Sequence, residues 1–316
     1  MRMWSLVACA VLATSLATRA ADDVEMRGPV TRHTLWKVEG ARKPVYLLGS
    51  IHVLRHQNYP LEGPIEDAFE QARVVAFEVD LEQAQAMLRP PPASPAAADQ
   101  PSPPPKPKPN PRPPVSVGPE PRSVKGQLTP ATHAALVDYL EGLGLSGTIL
   151  DPLPPPLAAG LLVQLELHQL GFEPEWGIDA YFYRRARKYG KTVVPLETVG
   201  EQLHALENLS NGGSDALIAA TLDSVATMRT GMRDLIRAWK GGELERLWTL
   251  LNGSFHDRPE IYQRVILDRN LAWMPKIEAL ATGDVPALVV VGTGHLIGTD
   301  GIVEMLRAKG HTVTQL

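Results

Sequence analysis

The sequence has almost no cysteine. Its 316 residues include one, Cys9, which lies in the first segment of the chain. If that segment is removed on export, the remaining protein has no thiol. It can then form no disulfide bond and no thiolate metal site, and it cannot use a cysteine nucleophile.

Long apolar runs and an excess of positive charge are also missing. One apolar stretch, from Leu6 to about Leu16, is too short to span a bilayer, and no later run reaches that length. The formal net charge is −4, with both signs mixed and no basic face. The sequence therefore gives no indication of nucleic-acid binding, and we expect no transmembrane anchor once the first segment is cleaved.

The N-terminus predicts export. A basic start precedes the apolar stretch, and small residues follow it at Thr18, Ala20 and Ala21. This order is typical of a secretory signal peptide, here residues 1–21, and it indicates a periplasmic or secreted protein. Two alternatives stay open: an uncleaved N-terminal anchor, and a lipid-modified Cys9 with almost no apolar region before it.

Proline is dense in one place. Residues from about 90 to 122 are close to half proline and have almost no apolar side chain to bury. Burial cannot offset the ordering entropy of such a segment, so we predict a disordered insertion, partly polyproline II. Docking to a proline-binding partner or to the cell wall is the alternative. The rest of the chain, 22–316, is expected to form one domain around this insertion.

The other segments alternate between strand and helix patterns. Strands are predicted at Val45–Gly49, Arg73–Val79 and Ala287–Val291, the last two as apolar runs. Thr129-Pro130 is a good helix start, and a mainly helical stretch is expected over about Glu201–Ala281. This order predicts an α/β fold. Its central, mostly parallel β-sheet is built from both ends of the chain and is flanked and capped by helices.

A strand that runs into Gly-x-x-His occurs twice. The first copy runs from Gly49 to His52 and the second from Gly292 to His295. Ligands of open α/β sheets bind beyond the carboxyl ends of strands, where glycine lets the backbone turn sharply and approach a ligand. If the two strands are neighbours, both imidazoles face one site, where they can bind a metal or move protons. A single histidine at a strand end is more often structural, so the argument depends on the repetition.

Five more polar residues are candidates for this site. Glu78 follows an apolar strand, where a carboxylate is costly to bury unpaired, so it is a candidate metal ligand or general base. Arg269, next to Asn270, can fix a substrate carboxylate or stabilise an oxyanion, although spacing alone favours a solvated helix face. Asp179 at a helix start and Glu197 after a strand also have local explanations, as a helix-dipole partner and a helix cap.

The candidate residues lie within short motifs in a fixed order along the chain. These are Leu35-Trp36-Lys37-Val38, Tyr46 to Val53, Phe77-Glu78, Gly177-Ile178-Asp179, Leu196-Glu197-Thr198, Arg269-Asn270 and Val291 to Leu296. The ordered set resembles the TraB/GumN family over about Leu35 to Gln315, except for the proline-rich insertion. No Gly-x-Ser-x-Gly, His-Glu-x-x-His, P-loop or dinucleotide motif occurs.

The resemblance implies a relationship to the Tiki proteins, which are membrane-linked proteases thought to need a divalent metal. It also implies a relationship to the erythromycin esterase and haem-binding ChaN-like folds. A central sheet with helical layers and paired Gly-x-x-His motifs is then expected. His52 and His295 would be the paired histidines, Glu78 the acidic partner and Arg269 the charged helper.

The leading interpretation is a divalent-metal-dependent hydrolase, a periplasmic peptidase. A manganese, cobalt or zinc ion held by His52, His295 and Glu78 would polarise a carbonyl, with Glu78 or Glu197 as base and Arg269 on the oxyanion. The alternatives are a metal-free esterase-like reaction, a protein that sequesters a peptide or small ligand, and a scaffold that uses the proline segment. The sequence does not predict the oligomeric state.

Overall fold

A computed structural model of the chain describes residues 32–88, 123–206, 213–252, 255 and 259–316. The predicted signal peptide, 1–21, and the predicted proline-rich insertion, 90–122, lie outside the described residues. Within them, no helix is both long enough and apolar enough to cross a membrane.

The described residues contain one six-stranded sheet. Its strands are β1 (Leu35–Glu39), β2 (Val45–Ser50), β3 (Val74–Phe77), β4 (Thr192–Pro195), β5 (Ala287–Gly292) and β6 (Thr312–Gln315). They pair in the order β4-β3-β5-β2-β1-β6. The four strands from β4 to β2 are parallel, and β1 is antiparallel to both β2 and β6. The predicted mostly parallel sheet, built from both ends of the chain, is confirmed.

The two strands at the centre of the sheet are β5 and β2. Every residue of β2 and β5 is buried. A strand buried on both faces needs continuous apolar residues, which is why both were recognisable from the sequence. The strand predicted at Arg73–Val79 is shorter, because β3 covers Val74–Phe77, although the N–H groups of Leu196 and Glu197 still donate to the carbonyls of Phe77 and Glu78 beyond it.

Helices connect and cover the strands. They are α1 (Gly63–Gln71), α2 (Leu81–Leu88), α3 (Val124–Gln127), α4 (Pro130–Gly142), α5 (Pro155–Gln169), α6 (Ile178–Lys188), α7 (Val199–Leu206), α8 (Gly213–Lys240), α9 (Leu244–Asn252), α10 (Pro259–Tyr262), α11 (Asp268–Thr282), α12 (Thr293–Leu296) and α13 (Ile302–Ala308). The predicted start of α4 is confirmed. Thr129 caps it by accepting a hydrogen bond from the N–H of Thr132, and Pro130 is its first residue.

The middle of the chain forms the predicted helical layer. Helices α4, α5 and α8 enclose a second apolar cluster that includes Leu136, Leu162 and Ile218. Two of these helices also reach the main core under the sheet, α5 through Val163 and α8 through Val225. The helical layer is therefore joined to the sheet by shared apolar contacts.

The parallel strands end at the same edge of the sheet. Ser50 at the end of β2 pairs with Gly292 at the end of β5, while Phe77 of β3 pairs with Val290 and Pro195. Each candidate residue that follows one of these strands therefore leaves the sheet at its carboxyl edge. This register brings together side chains that are far apart in the sequence.

Candidate active site

His52 lies two residues after β2, and a carboxylate holds its ring. Nδ1 of His52 is 2.8 Å from Oδ2 of Asp179, and the hydroxyl of Ser50 donates to Oδ1 of the same carboxylate at 2.8 Å. Asp179 lies in the first turn of α6, where it also has the predicted position beside the helix dipole. Its contact with His52 adds a second role that the sequence did not reveal.

A glycine allows this pairing. A Cβ atom on Gly177, just before α6, would lie 2.1 Å from the carbonyl oxygen of His52. The start of α6 can therefore approach the His52 loop only if residue 177 has no side chain. The N–H of Ile178 donates to the carbonyl of Ile51 at 3.0 Å and joins the two segments.

His295 lies in α12, directly after β5, and Asn270 of α11 holds its ring. Nδ1 of His295 is 2.8 Å from Oδ1 of Asn270. The amide nitrogen of Asn270 donates to the carbonyls of His295 and Asp300, at 3.2 and 2.9 Å. These bonds set the amide orientation, so Nδ1 of His295 carries the proton. Nε2 is then an acceptor, and Nη1 of Arg269 donates to it at 3.1 Å.

Arg269 is the centre of a buried ionic network. Nη2 donates to Oε2 of Glu78 at 2.7 Å and to Oε1 of Glu197 at 2.6 Å, and Nε also donates to the Glu197 carboxylate. The side chain is only 8% exposed. The solvated helix face that spacing alone favoured for Arg269 is therefore wrong, because α11 packs over the carboxyl edge of the sheet.

A π-helical turn precedes Arg269. In this turn, Gln263–Leu267, the N–H of Asp268 donates to the carbonyl of Gln263, five residues back. The widened turn leaves the carbonyl of Val265 near the guanidinium, and Nη1 of Arg269 donates to it at 3.1 Å. With the contacts to Glu78, Glu197 and His295, all five N–H groups of Arg269 have acceptors.

Glu78 directly follows β3 and is also buried. Its Oε1 accepts from the N–H of Gly292 at 2.8 Å, and Nε2 of Gln202 donates to its Oε2 at 3.3 Å. Sequence reasoning missed Gln202, which lies in α7 with no distinguishing local pattern. It also missed Trp273, whose indole N–H donates to Glu197 at 3.1 Å and whose ring is centred 4.5 Å from that of His295.

The two Gly-x-x-His motifs meet at Gly292. A Cβ atom on Gly292 would lie 3.3 Å from Nε2 of His52, 3.2 Å from Oε1 of Glu78 and 3.6 Å from Cδ2 of His295. Gly49 has a different role, because a Cβ there would lie 2.9 Å from the hydroxyl oxygen of Thr293. The first glycine of each motif is therefore needed. Gly49 allows close packing against Thr293, and Gly292 keeps the space between the two histidines open.

The surroundings of the two histidines give them opposite charge states. Burial disfavours a charge on His52, but the carboxylate and hydrogen bond of Asp179, with help from Glu78, outweigh it and raise its pKa to about 9. Burial and the charge of Arg269 lower the pKa of His295 to about 3. At neutral pH, the metal-free protein therefore has a charged His52 and a neutral His295.

The surroundings of Glu78 and Glu197 shift the pKa values of these two carboxylates in opposite directions. Burial opposes the charge of Glu78, but Arg269 and the two histidines hold its pKa well below the usual range. Burial raises the pKa of Glu197, with Arg269 acting in the opposite direction. Glu78 is therefore ionised throughout the physiological range.

A sequence model of the TraB/PrgY/gumN family matches residues 34–315. The chain belongs to the TraB/PrgY/gumN family. No curated protein and no solved structure matches it. The resemblance that the ordered motifs indicated is thus confirmed, and the region matched to the TraB/PrgY/gumN family contains every candidate site residue.

The site of this TraB/PrgY/gumN member contains imidazole and carboxylate side chains, which are residue types that bind divalent ions. Each histidine has its Nδ1 held by an oxygen atom and turns Nε2 towards the site, the arrangement that orients metal-binding imidazoles. Glu78 adds an ionised carboxylate. No group of three potential ligands is already arranged around one point in the described part of the chain. Nε2 of His295 is engaged by Arg269, which leaves His52 and Glu78 as the donors beside Gly292.

Filling the space at Gly292 should impair the site without unfolding the protein. In Gly292→Ala, the new methyl group would contact the imidazole of His52 and the carboxylate of Glu78 at 3.2–3.3 Å. We expect any metal binding or turnover that uses this space to fall by roughly tenfold, because the required shift of a few tenths of an ångström is smaller than the 1 Å displacement that can cost about 100-fold. Metal titration and thermal unfolding of the variant test this.

Gly63→Ala is the matched control, because a Cβ at that position meets no atom within 4 Å. Its metal affinity and activity should equal those of the wild type. Unchanged metal binding and cleavage in Gly292→Ala would contradict the assignment of this space to the site.

Proposed function

We propose that this protein is a divalent-metal-dependent hydrolase that acts on peptides after export to the periplasm or beyond. The observation that carries the proposal is the convergence of His52 Nε2 and Glu78 Oε1 on the backbone of Gly292, next to His295. Membership of the TraB/PrgY/gumN family and the N-terminal sequence of residues 1–21 support it. The proposed metal is manganese, cobalt or zinc.

The residues that would hold the metal are His52, Glu78 and His295. When bound, a divalent ion polarises a substrate carbonyl and lowers the pKa of a water molecule to near neutrality. His52 must first lose the proton that it carries below pH 9. His295 must give up its hydrogen bond from Arg269. Metal affinity should therefore increase with pH.

The carboxylates divide into one that faces the site and one that supports it. Both oxygens of Glu197 accept hydrogen bonds, from Arg269 and from the indole of Trp273. Oε1 of Glu78 accepts one bond, from Gly292, and has a second lone pair available, and the space at Gly292 lies between Oε1 and Nε2 of His52. Glu78 is therefore the carboxylate that can bind a metal or take a proton, and Glu197 holds Arg269.

Arg269 acts through its neighbours in this proposal. All of its N–H groups have protein acceptors in this structure, so the only one that could turn to a substrate oxyanion is the Nη1 donor that His295 would give up on metal binding. Its charge instead keeps Glu78 ionised and His295 neutral, which are the states that a metal ion requires of its ligands. Asp179 acts in a similar way, because it holds the ring of His52 with Nε2 turned towards Gly292.

The test is cleavage of a mixed peptide library by the mature protein. It is run with manganese, cobalt or zinc and again with a chelator, with His52→Ala as the blank. We expect metal-dependent products at least about 100-fold above the blank, the usual contribution of a group at the reacting atoms. His311→Ala is the control, since His311 precedes β6 at the opposite edge of the sheet.

The pattern of products separates this proposal from its alternatives. Cleavage that a chelator leaves intact, and that increases up to about pH 9, would favour a metal-free reaction with His52 as base, since the pKa of His52 is about 9. The His52–Asp179 pair is the observation that supports this second candidate. The absence of products with any metal would favour a protein that binds a ligand without turning it over.

A further inference from the structure

A cavity lies beside the loop that follows His52. Its volume is about 350 Å³. Its walls come from the loop after β2, from Phe172 and from one face of α8, and include Arg55, Asn58, Phe172, Arg229, Arg233 and Ile236. Three of these residues are arginines and none of the lining residues is acidic, so the cavity is strongly positive.

The two arginines of α8 have little compensation for their charge. Arg229 and Arg233 lie one turn apart on the helix and are exposed. Arg229 has no ion pair or hydrogen bond with any residue of the described ranges. The carboxylate nearest to Nε of Arg233, that of Asp234, is 3.8 Å away, which is beyond hydrogen-bond distance. Like charges at this spacing destabilise a helix slightly, so the helix itself gains nothing from the pair.

The third arginine is held in place with an unused donor. The guanidinium carbon of Arg55 lies 4.2 Å above the ring centre of Phe172. Stacking of this kind orients the guanidinium plane and leaves its N–H groups free for a ligand. Nε of Arg55 is buried and has no hydrogen-bond partner among the described residues. A buried donor without an acceptor is destabilising, and an anionic ligand would satisfy it.

We propose that this cavity binds a carboxylate of the peptide substrate, within about three residues of the bond that is cleaved. Guanidinium groups bind carboxylates through paired hydrogen bonds, and Phe172 and Ile236 offer apolar contacts for the adjoining carbon atoms. Arg55 is three residues after His52, so their Cα atoms are at most about 11 Å apart, the length of about three extended peptide residues. The inference rests on the proposed peptidase function, because it places this carboxylate relative to His52.

Calorimetric binding to full-length His52→Ala, which should not turn peptides over, tests the proposal. The probes are three acetylated hexapeptides: polyalanine amide with one glutamate, the same peptide with glutamine, and polyalanine with a free C-terminal carboxylate. We expect the glutamate peptide, the free-carboxylate peptide or both to bind at least about tenfold more tightly than the glutamine peptide. The two acidic peptides distinguish a side-chain carboxylate from a C-terminal one.

The preference for the carboxylate-bearing peptides should disappear when Arg229→Gln and Arg233→Gln are added to the His52→Ala variant. Both side chains are exposed, so their replacement should not unfold α8. Arg73→Gln is the matched control, an exposed arginine at the opposite edge of the sheet, and it should keep the preference. Equal binding of all three peptides, no binding of any, or a preference that survives the double substitution would overturn the proposal.

Failure of the carboxylate site can be distinguished from failure of the proposed hydrolase function. Selective binding of an acidic peptide, together with no product from the mixed library with any metal, would overturn the hydrolase and leave the carboxylate site intact. Metal-dependent cleavage with equal kcat/KM for the glutamate, glutamine and free-carboxylate peptides would leave the hydrolase intact and overturn the carboxylate site.

Discussion

Replacing Arg269 by methionine should lower the free energy of unfolding by about 3–5 kcal/mol, the usual effect of breaking a buried ion pair. Methionine has a similar length but donates no hydrogen bond. Glu78 and Glu197 would then remain buried beside each other without the cation that both contact. Their ionised forms would be penalised by burial, and protonation would cost the folded state free energy at neutral pH. Urea unfolding at neutral pH measures the loss.

An exposed ion pair provides the control for Arg269→Met. Arg187 contacts Glu82 at 2.8 Å, but both side chains are more than half exposed. Arg187→Met should therefore destabilise the fold far less than Arg269→Met does. Adding Glu197→Gln to Arg269→Met should recover part of the lost stability, because one unpaired carboxylate is removed. A loss for Arg269→Met no larger than that of Arg187→Met would show that the network does not stabilise the fold.

The metal-free protein should lose stability as the pH rises from 6.5 to 9. The pKa of His52 is raised to about 9 in the folded state from an ordinary value of 6.5, so the folded protein retains a proton that the unfolded chain releases. This contribution is fully present below pH 6.5 and is lost as the pH rises through 9. Its size is at most about 3–4 kcal/mol, since each pKa unit corresponds to about 1.36 kcal/mol. Urea unfolding in chelator at both pH limits measures it.

The carboxylate of Asp179 should account for most of this pH dependence. In Asp179→Asn the pKa of His52 should fall back towards 6.5, so stability should become nearly constant between the two pH limits. Asp284→Asn is the control, because Asp284 is an exposed partner of Arg42 far from the site. The lowered pKa of His295 acts below pH 6.5 and does not disturb this window. A pH dependence that Asp179→Asn leaves unchanged would disprove the assignment to His52.

The positions of the site residues that follow strands were predictable from the sequence. β2, β3 and β5 are short apolar runs, and Glu78 and the two Gly-x-x-His motifs come directly after them. Parallel strands share a carboxyl edge, so the side chains that follow them must lie close together. Arg269 does not follow a strand. The residue spacing of its helix predicted a solvent-exposed position, whereas the structure buries the side chain.

The partners of these residues were not predictable, because most of them are distant in the chain. Asp179 is 127 residues from His52 and Gln202 is 124 residues from Glu78. A helix-start aspartate and a mid-helix glutamine have the same local pattern whether or not they reach a site. Whether these side chains reach the site depends on how the helices α6 and α7 pack against the carboxyl edge of the sheet.

The sequence by itself determined the class of fold, the family and the edge of the sheet where the site lies. Apolar periodicity and glycine placement are local properties that a linear sequence displays directly. The tertiary structure alone decided that His52 is charged, that His295 is neutral and that Arg269 is enclosed by two carboxylates. Charge states depend on burial and on neighbours within a few ångströms, and folding brings those neighbours from distant parts of the chain.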